Sequence, residues 1–356
     1  MKYDFIVVGG GVVGMSTARE LAKAKLKVAL IDKGELGQES SWAAGGILSS
    51  MRPWAESHAS MMLSEKARQD FPDFVDELLS ATGIDSEYRC NGLVMYGETD
   101  VVNTRDWANE NKIIVEDIPA DLNNELHLKN DALFLPKIAQ IRPPYLIKAL
   151  KQDLINRDVT ILENSEVKAV TFSDNKFDAV KTDTNSLSAE GVIIASGAWS
   201  SHLCQYSGIN LSEMIKPICG QMLCLQFDSK LPKPIILDGP HYLISRSDGH
   251  LLIGSSMEDT GFQKDTNNET KEALLNWARS IWQDIDDGKL VKHWAGLRPS
   301  NSAGRPFIGK IKGLEGVYIN SGHFRKGILQ SPSSAALLVD HILQRPTFTN
   351  IENYSV

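Results

Sequence analysis

Apolar residues take two spacings along this chain, and the switches between them mark out its elements. Tyr3–Val8 is a short, β-branched apolar run, as expected of a parallel strand buried on both faces. It leads through VVGGGVVG (7–14) into MSTARELAKA, where apolar positions take helical spacing, and then into a second strand over 27–31 that ends at Asp32. The strand pattern returns at 92–96, 132–135, 159–162, 166–172, 177–182 and 192–195. Helical spacing returns over 56–81, where Pro72 predicts a break or kink, and over 143–156, where Pro143 and Pro144 fill a first turn that needs no amide. From 217 to 294 the texture differs: GQMLCLQF, HYLISR and HLLIGSS are short apolar or alternating runs, with Asp248-Gly249 as a hairpin turn and one helix over 267–282. That block predicts an antiparallel sheet with helical cover. A strand in GVYINSG and a helix over 328–343 close the chain.

The first switch carries chemistry. Gly9, Gly11 and Gly14 are spaced G-x-G-x-x-G between strand and helix. The first permits a tight turn, the second lets backbone approach a pyrophosphate, and the third lets helix and strand pack closely. Amides at the helix start face the phosphates, and Asp32 stands where it accepts hydrogen bonds from ribose hydroxyls. These features in this order predict a dinucleotide site. The next segment, KGELGQESSWAAGGILSSMRPW, is long and rich in small residues, and long loops inside compact domains are usually functional. Ser40 and Ser41 offer hydroxyls to phosphate, while Trp42, Ile47 and Leu48 are poor residues to leave in water and are expected to pack on a bound ring system. SGAWS (196–200), with Gly197, is a second strand–glycine–helix junction and suggests the same sheet returning to the ligand.

Length and composition narrow the choice further. The 356 residues allow two domains, or one with an insertion, and a net charge of −8 leaves no electrostatic footprint for nucleic acid. No apolar run reaches the roughly eighteen residues of a membrane span. The first strand begins by residue 3, which leaves no room for a signal peptide on this reading, so a cytoplasmic setting is expected. Cys90, Cys204, Cys219 and Cys224 have no metal spacing and are expected as free thiols, with no metal site.

The fingerprint, the SSWAAGG loop, SGAWS, W-x-GLRP (294–299) and GHFRKGIL (322–329) together resemble the D-amino-acid oxidase superfamily of FAD-dependent amine oxidoreductases, in order and over nearly the full length. Within it the chain is most similar to the glycine oxidases, which supply an imine for thiamine synthesis in some bacteria. The resemblance implies an α/β fold: a Rossmann-like FAD-binding domain (1–85, 143–216 and 297–356) and a discontinuous antiparallel-sheet α+β substrate domain (86–142 and 217–296). It implies non-covalent FAD, because the C-terminal flavin segment lacks the attaching cysteine of sarcosine oxidases. Val12 and Val13 would lie over the pyrophosphate, Asp32 and Lys33 at the adenosine, and Val167 at the adenine. Ser40, Ser41, Gly45, Gly46 and Ile47 would run past phosphate and isoalloxazine. His323, Phe324, Arg325, Lys326, Gly327 and Ile328 would meet the pyrimidine edge, with the last helix aiming its positive end there.

Arg298 is implied to hold the substrate carboxylate through two parallel hydrogen bonds. Tyr242 would add a third bond, and Arg325 would stand close by. Residue by residue, a structural ion pair for Arg298, a core role for Tyr242 and a phosphate or backbone contact for Arg325 are the alternatives. No acid or base is implied at the reacting carbon, since the α-hydrogen leaves as hydride to the flavin, so His241, His293 and His323 are read as structural. Lys326 departs from the neutral residue common in glycine oxidases; a cation beside the ring is expected to raise the flavin potential or alter the reaction with dioxygen. Met51, Trp54 and Met257 are candidates for the pocket wall. The implied reaction is oxidation of glycine, sarcosine or a small D-amino acid with dioxygen as acceptor, giving hydrogen peroxide; family members often form tetramers, so the resemblance leaves a homo-oligomer open. The alternatives are a dehydrogenase of the same fold serving a quinone, a tRNA-modifying flavoprotein, and a non-catalytic flavin binder.

Overall fold

The computed structural model describes residues 2–50, 55–97, 100–111, 113–120, 122, 126, 128 and 132–356. In chain order the strands are β1 (Tyr3–Val8), β2 (Val28–Ile31), β3 (Ile47–Leu48), β4 (Leu93–Tyr96), β5 (Ala132–Leu135), β6 (Ala139–Gln140), β7 (Thr160–Leu162), β8 (Ala169–Ser173) and β9 (Lys176–Lys181). They continue with β10 (Ser186–Leu187), β11 (Ala189–Ile194), β12 (Lys216–Gln226), β13 (Ile235–Asp238), β14 (His241–Ser245), β15 (His250–Gly254), β16 (Lys289–Ser300), β17 (Phe307–Lys310) and β18 (Val317–Ser321). The helices are α1 (Val12–Lys23), α2 (Ser40–Ala43), α3 (His58–Thr82), α4 (Asp100–Glu110), α5 (Pro143–Asn156), α6 (Ser200–Tyr206), α7 (Asn268–Ile281) and α8 (Gly327–Ile342).

Among the described residues two large sheets carry the fold. The six-stranded sheet has the order β17-β18-β11-β1-β2-β7 and is parallel except for the β17/β18 pair. Its centre explains the unbroken apolar run at the N-terminus. Phe5 and Val7 point to a core shared with α1, α3, α5 and α8, while Ile6 and Val8 point to the opposite face, covered by β8 and β9. Both faces are dry from Phe5 to Val8, so those four positions are apolar, while Asp4 at the strand's entry stays half-buried and accepts from the Lys27 amide.

The seven-stranded sheet, β16-β12-β15-β14-β13-β4-β5, is antiparallel except between β13 and β4. The helix α7 covers one face through Leu274, Ala278 and Ile281 against Leu223, Leu225, Leu251 and Ile253. The opposite face, with Met222, Tyr242 and Ile244, belongs to the side on which the cavity described below opens.

Four sequence expectations need correction. The helix α3 runs through Pro72 without the break, one of the two outcomes expected there. Its N-terminus is capped by Ser57, its C-terminus by Gly83 in the left-handed region, and its apolar face is fixed by Leu63, Ala67, Phe71, Phe74 and Leu78. Packing on that face outweighs the hydrogen bond that the proline removes. The stretch 289–300, divided in expectation between the antiparallel block ending at 294 and the GLRP motif after it, is one twelve-residue strand paired with β12 along its length. The strand expected over 166–172 starts only at Ala169, which leaves Val167 in an irregular approach to it. Trp42 and Leu48, expected against a ligand, pack on protein instead: Trp42 edge-on to Trp294 and beneath the Lys292 ammonium, Leu48 in the core beside α8. Met51 and Trp54 lie outside the described residues.

Candidate active site

A cavity of about 580 Å³ runs from the carboxyl ends of β1 and β2 to the inner face of the seven-stranded sheet. At its first end the chain leaves β1 into the G-x-G-x-x-G turn. Gly9 has φ +111°, and a Cβ there would lie 2.5 Å from the Ala195 carbonyl oxygen of β11's loop. At Gly14 a Cβ would fall 1.8 Å from the Gly9 carbonyl oxygen, so only glycine lets α1 lie this close to the turn. Gly14 therefore packs helix on turn and does not line the cavity, whereas Gly9, Gly11, Val12 and Val13 do. The helix starts on Gly11 with no side chain capping it from that residue; Ser41 supplies an acceptor instead, taking the Val12 amide at 2.9 Å. Ser40, which also lines the cavity, donates to the Leu297 carbonyl and ties the loop to β16.

Asp32 and Lys33 line the same end, together with Val167 and Gly197. The Asp32 carboxylate accepts from the amides of Gly10 (2.6 Å) and Gly34 (2.8 Å). Burial nevertheless moves its pKa above the ordinary aspartate value. Each carboxylate oxygen keeps a lone pair for a further donor. Burial lowers the pKa of Lys33, whose ammonium lies 3.3 Å from the ring centroid of Trp199, from the SGAWS junction.

Midway, Gly45, Gly46 and Ile47 form one wall. A residue that the sequence reading passed over holds this wall: Arg246, buried just after β14. Its guanidinium donates to Gly45 O (2.7 Å), Ile141 O (3.0 Å) and Gln140 Oε1 (2.6 Å), and burial brings its pKa down to about 10. Nothing in HYLISR distinguishes such an arginine from an exposed one at a strand end. The opposite wall carries Asn320 and Ser321, also not foreseen. Asn320 Nδ2 donates to Thr17 Oγ1 of α1 (3.0 Å), and the Ser321 hydroxyl meets that of Ser200 (2.7 Å).

At the far end are Tyr242 and Arg298. The residue β12 places opposite Arg298's side chain is Gly220, where a Cβ would lie 2.1 Å from both Nη atoms; the guanidinium lies across bare backbone. Arg298 Nη1 donates to Cys219 O (3.3 Å) and Ser256 O (3.2 Å), and Nη2 to Ser255 Oγ (2.8 Å). All three acceptors are neutral and take three of the five N–H donors, so the arginine keeps its charge and two donors for an anion. The Tyr242 hydroxyl rests 3.4 Å from Met222 Sδ over Gly254.

The segment after β18 closes the cavity. His323, Phe324, Arg325, Gly327 and Ile328 line it, and the N-terminus of α8 starts there. His323 is fully buried; burial, with the nearby Lys326 charge, pushes its pKa down to about 3, so it stays neutral. Lys326 itself does not line the cavity. Its ammonium turns back to Glu56 (3.1 Å) and Ser60 Oγ (2.6 Å) beside α3, which corrects the expectation of a cation beside a ligand ring. Met257 is 61% exposed and is not part of the wall, nor are His241 and His293.

The residues present fit a long, polar-headed dinucleotide. Bare glycine backbone meets the helix start, acceptors stand at Asp32, and two buried wall atoms, His323 Nε2 and Asn320 Oδ1, have no hydrogen-bond partner among the described residues. The four cysteines are free, and none lines the cavity. Among the described residues no group of histidine, cysteine or acidic side chains is arranged to hold a metal, and no helix is long and apolar enough to cross a membrane.

Comparison with known proteins gives the same picture. The model of the DAO family, FAD dependent oxidoreductase, matches residues 4–341. A glycine oxidase of Pseudomonas aeruginosa is 34% identical over 350 residues, 96% of this chain and 94% of that protein. The crystal structure of glycine oxidase from Geobacillus kaustophilus superposes with a TM-score of 0.93 at 27% identity, covering 99% of this chain and 98% of that one. That of the enzyme from Bacillus cereus ATCC 14579 gives 0.91 at 27% identity, over 100% and 99%.

Proposed function

This chain belongs to the DAO family of FAD-dependent oxidoreductases, and from that premise we propose that it oxidises a small amino acid, with glycine, sarcosine and small D-amino acids as the candidate substrates and dioxygen as the acceptor that yields hydrogen peroxide. The observation that carries the reading is Arg298, a cavity-lining cation whose three protein acceptors are all uncharged. FAD, bound non-covalently, supplies the electron-accepting ring.

The chain's own groups then divide the work. The α1 N-terminus, with Val12 and Val13, receives the pyrophosphate, and Asp32 accepts from ribose hydroxyls. Arg298 fixes the position and plane of the substrate carboxylate by a two-point bond, and Tyr242 adds a hydroxyl from the neighbouring sheet face. Arg325 borders the same space from the segment before α8. Orientation of the α-carbon follows from these contacts, and its contribution to rate is that of holding reactants in near-attack geometry. No proton donor or acceptor is required of His323, which is neutral, or of His241 and His293, which lie off the cavity.

The test is anaerobic addition of glycine, sarcosine, D-alanine, D-proline and a larger D-amino acid to the yellow holoprotein, followed by air. Bleaching by the small substrates with rapid recovery and peroxide is expected. Bleaching that persists in air but reverses with a quinone would replace the oxidase by a dehydrogenase. If none of the five bleaches the flavin, the small-amino-acid assignment is wrong.

A further inference from the structure

We propose that Glu56 and Lys326 form a balanced charge pair that sets the electrostatic field at the N-terminus of α8, and through it the reduction potential of the flavin. The proposal rests on the reading of 323–328 as the segment facing the electron-accepting ring.

The argument begins with where Lys326 sits. It is the residue on which α8 starts, and a helix start already carries positive partial charge, so a cation there is unfavourable unless something offsets it. Glu56 supplies the offset. Its carboxylate lies 3.1 Å from Lys326 Nζ, and the two side chains are 11% and 13% exposed, so water screens the pair weakly. Glu56 also immediately precedes Ser57, the cap of α3, which places one carboxylate beside two helix starts at once.

The surrounding bonds make the arrangement rigid. Lys326 Nζ donates to Ser60 Oγ at 2.6 Å, and Ser60 Oγ lies 3.1 Å from Glu56 Oε2. Gln330, fully buried in the first turn of α8, donates to Ser60 O and Oγ (both 3.2 Å) and to Ser64 Oγ (2.8 Å). The starts of α3 and α8 are thereby joined, and neither charged group can swing out to solvent without breaking that network. The Lys326 charge is felt at the cavity: burial first, and then Lys326, lowers the pKa of the cavity-lining His323.

A compensated pair has a signature that a merely structural contact lacks: removing either member leaves the other's charge behind, and the two residues have opposite sign. Two-electron reduction leaves negative charge on the ring, so a nearby uncompensated cation favours the reduced form and an uncompensated carboxylate opposes it. Lys326→Met is therefore expected to lower the potential of the bound flavin and Glu56→Gln to raise it. The double variant should return close to the parent value, and Lys326→Arg should leave it unchanged.

The experiment uses purified holoprotein, with potentials read by equilibration against reference dyes and sulfite affinity read from bleaching of the oxidised flavin. Sulfite binding should weaken in Lys326→Met and tighten in Glu56→Gln, each by about threefold or more, as one poorly screened charge requires. Gly327→Asp is the control for the underlying reading; the nearest protein atom to an added Cβ is His323 Cβ at 3.8 Å. A fall in potential in Gly327→Asp with no shift, or same-sign shifts, in the two pair variants overturns the charge-pair proposal alone. No shift in any of the three overturns the ring-facing assignment as well. If Lys326→Met does not retain flavin, Glu56→Gln against Glu56→Asp still reads the sign.

Discussion

Arg298 is defined by what it lacks as much as by what it touches. Its bonds to two carbonyls and a hydroxyl fix the guanidinium plane without neutralising it, and Gly220 leaves the space in which it lies. Lysine keeps the charge but not the planar fork. Arg298→Lys is expected to lower kcat/KM by about tenfold to a hundredfold, the loss of one charged hydrogen bond, with flavin content and visible spectrum retained; steady-state kinetics with a carboxylate-inhibitor titration measures it. His323 gives a prediction of the opposite kind. Its pKa is pushed from 6.5 down to about 3 in the folded chain, chiefly by burial, so between those values the unfolded chain binds the extra proton. Stability from this site is whole above pH 6.5 and is lost as the pH falls toward 3, with a slope of up to one proton. Urea midpoints measured against pH should show that fall, and His323→Asn should flatten it. The pH–rate profile should carry no inflection from this histidine.

At the scale of elements, close approach decides more than propensity. Strand β12 carries a glycine beneath the arginine of β16, and the Cα register Ile218↔Arg298 and Gly220↔Gly296 puts that glycine two residues from the arginine's own partner. Gly220→Ala would bring a methyl to 2.1 Å from both Nη atoms. We expect a KM raised by about tenfold or more with little loss of fold, because the clash falls on a side chain that has cavity to move into; kinetics together with a thermal melt tests it. Gly14→Ala is different. Its clash, at 1.8 Å, is with the Gly9 carbonyl, which is backbone and cannot yield. The helix must shift, and the protein should be recovered with little FAD and a lower melting temperature, as read from the absorbance ratio of flavin to protein.

Across the whole molecule, polar ties join distant parts of the chain around the cavity. Arg19 of α1, 1% exposed, donates through Nε to Asp153 of α5 (2.8 Å) and through Nη2 to Glu77 of α3 (2.9 Å). Three helices behind the nucleotide-binding turn therefore share one buried cation. Arg19→Met should cost about 3–5 kcal/mol, because a buried carboxylate loses a partner, although Arg157 Nε at 2.7 Å still serves Asp153 and sets the lower end; denaturant unfolding gives the number. Arg246 does the same for the cavity wall, binding the Gly45 carbonyl from just beyond β14, two hundred and one residues away.

The sequence alone determined the features that depend on neighbours in the chain: the β1–glycine–α1 unit with its closing Asp32, the hairpin around Gly249, and the small-residue loop that lies along the cavity. Their causes are local, in side-chain period, turn conformation and the absence of a Cβ, so they are written in consecutive residues. The family motifs added Arg298, Tyr242 and the 323–328 segment, and the fold gathers these at one cavity, Lys326 excepted. Tertiary structure alone decided the rest. The packed face of α3 carries the helix through Pro72, pairing with β12 makes 289–300 a strand, and Trp42 finds Trp294 rather than a ligand. Glu56 turns Lys326 away from the cavity, and Gly45 gives buried Arg246 its purpose. Each of these outcomes is set by a partner hundreds or dozens of residues distant, and a charge or an aromatic ring in a sequence does not state which partner it will meet.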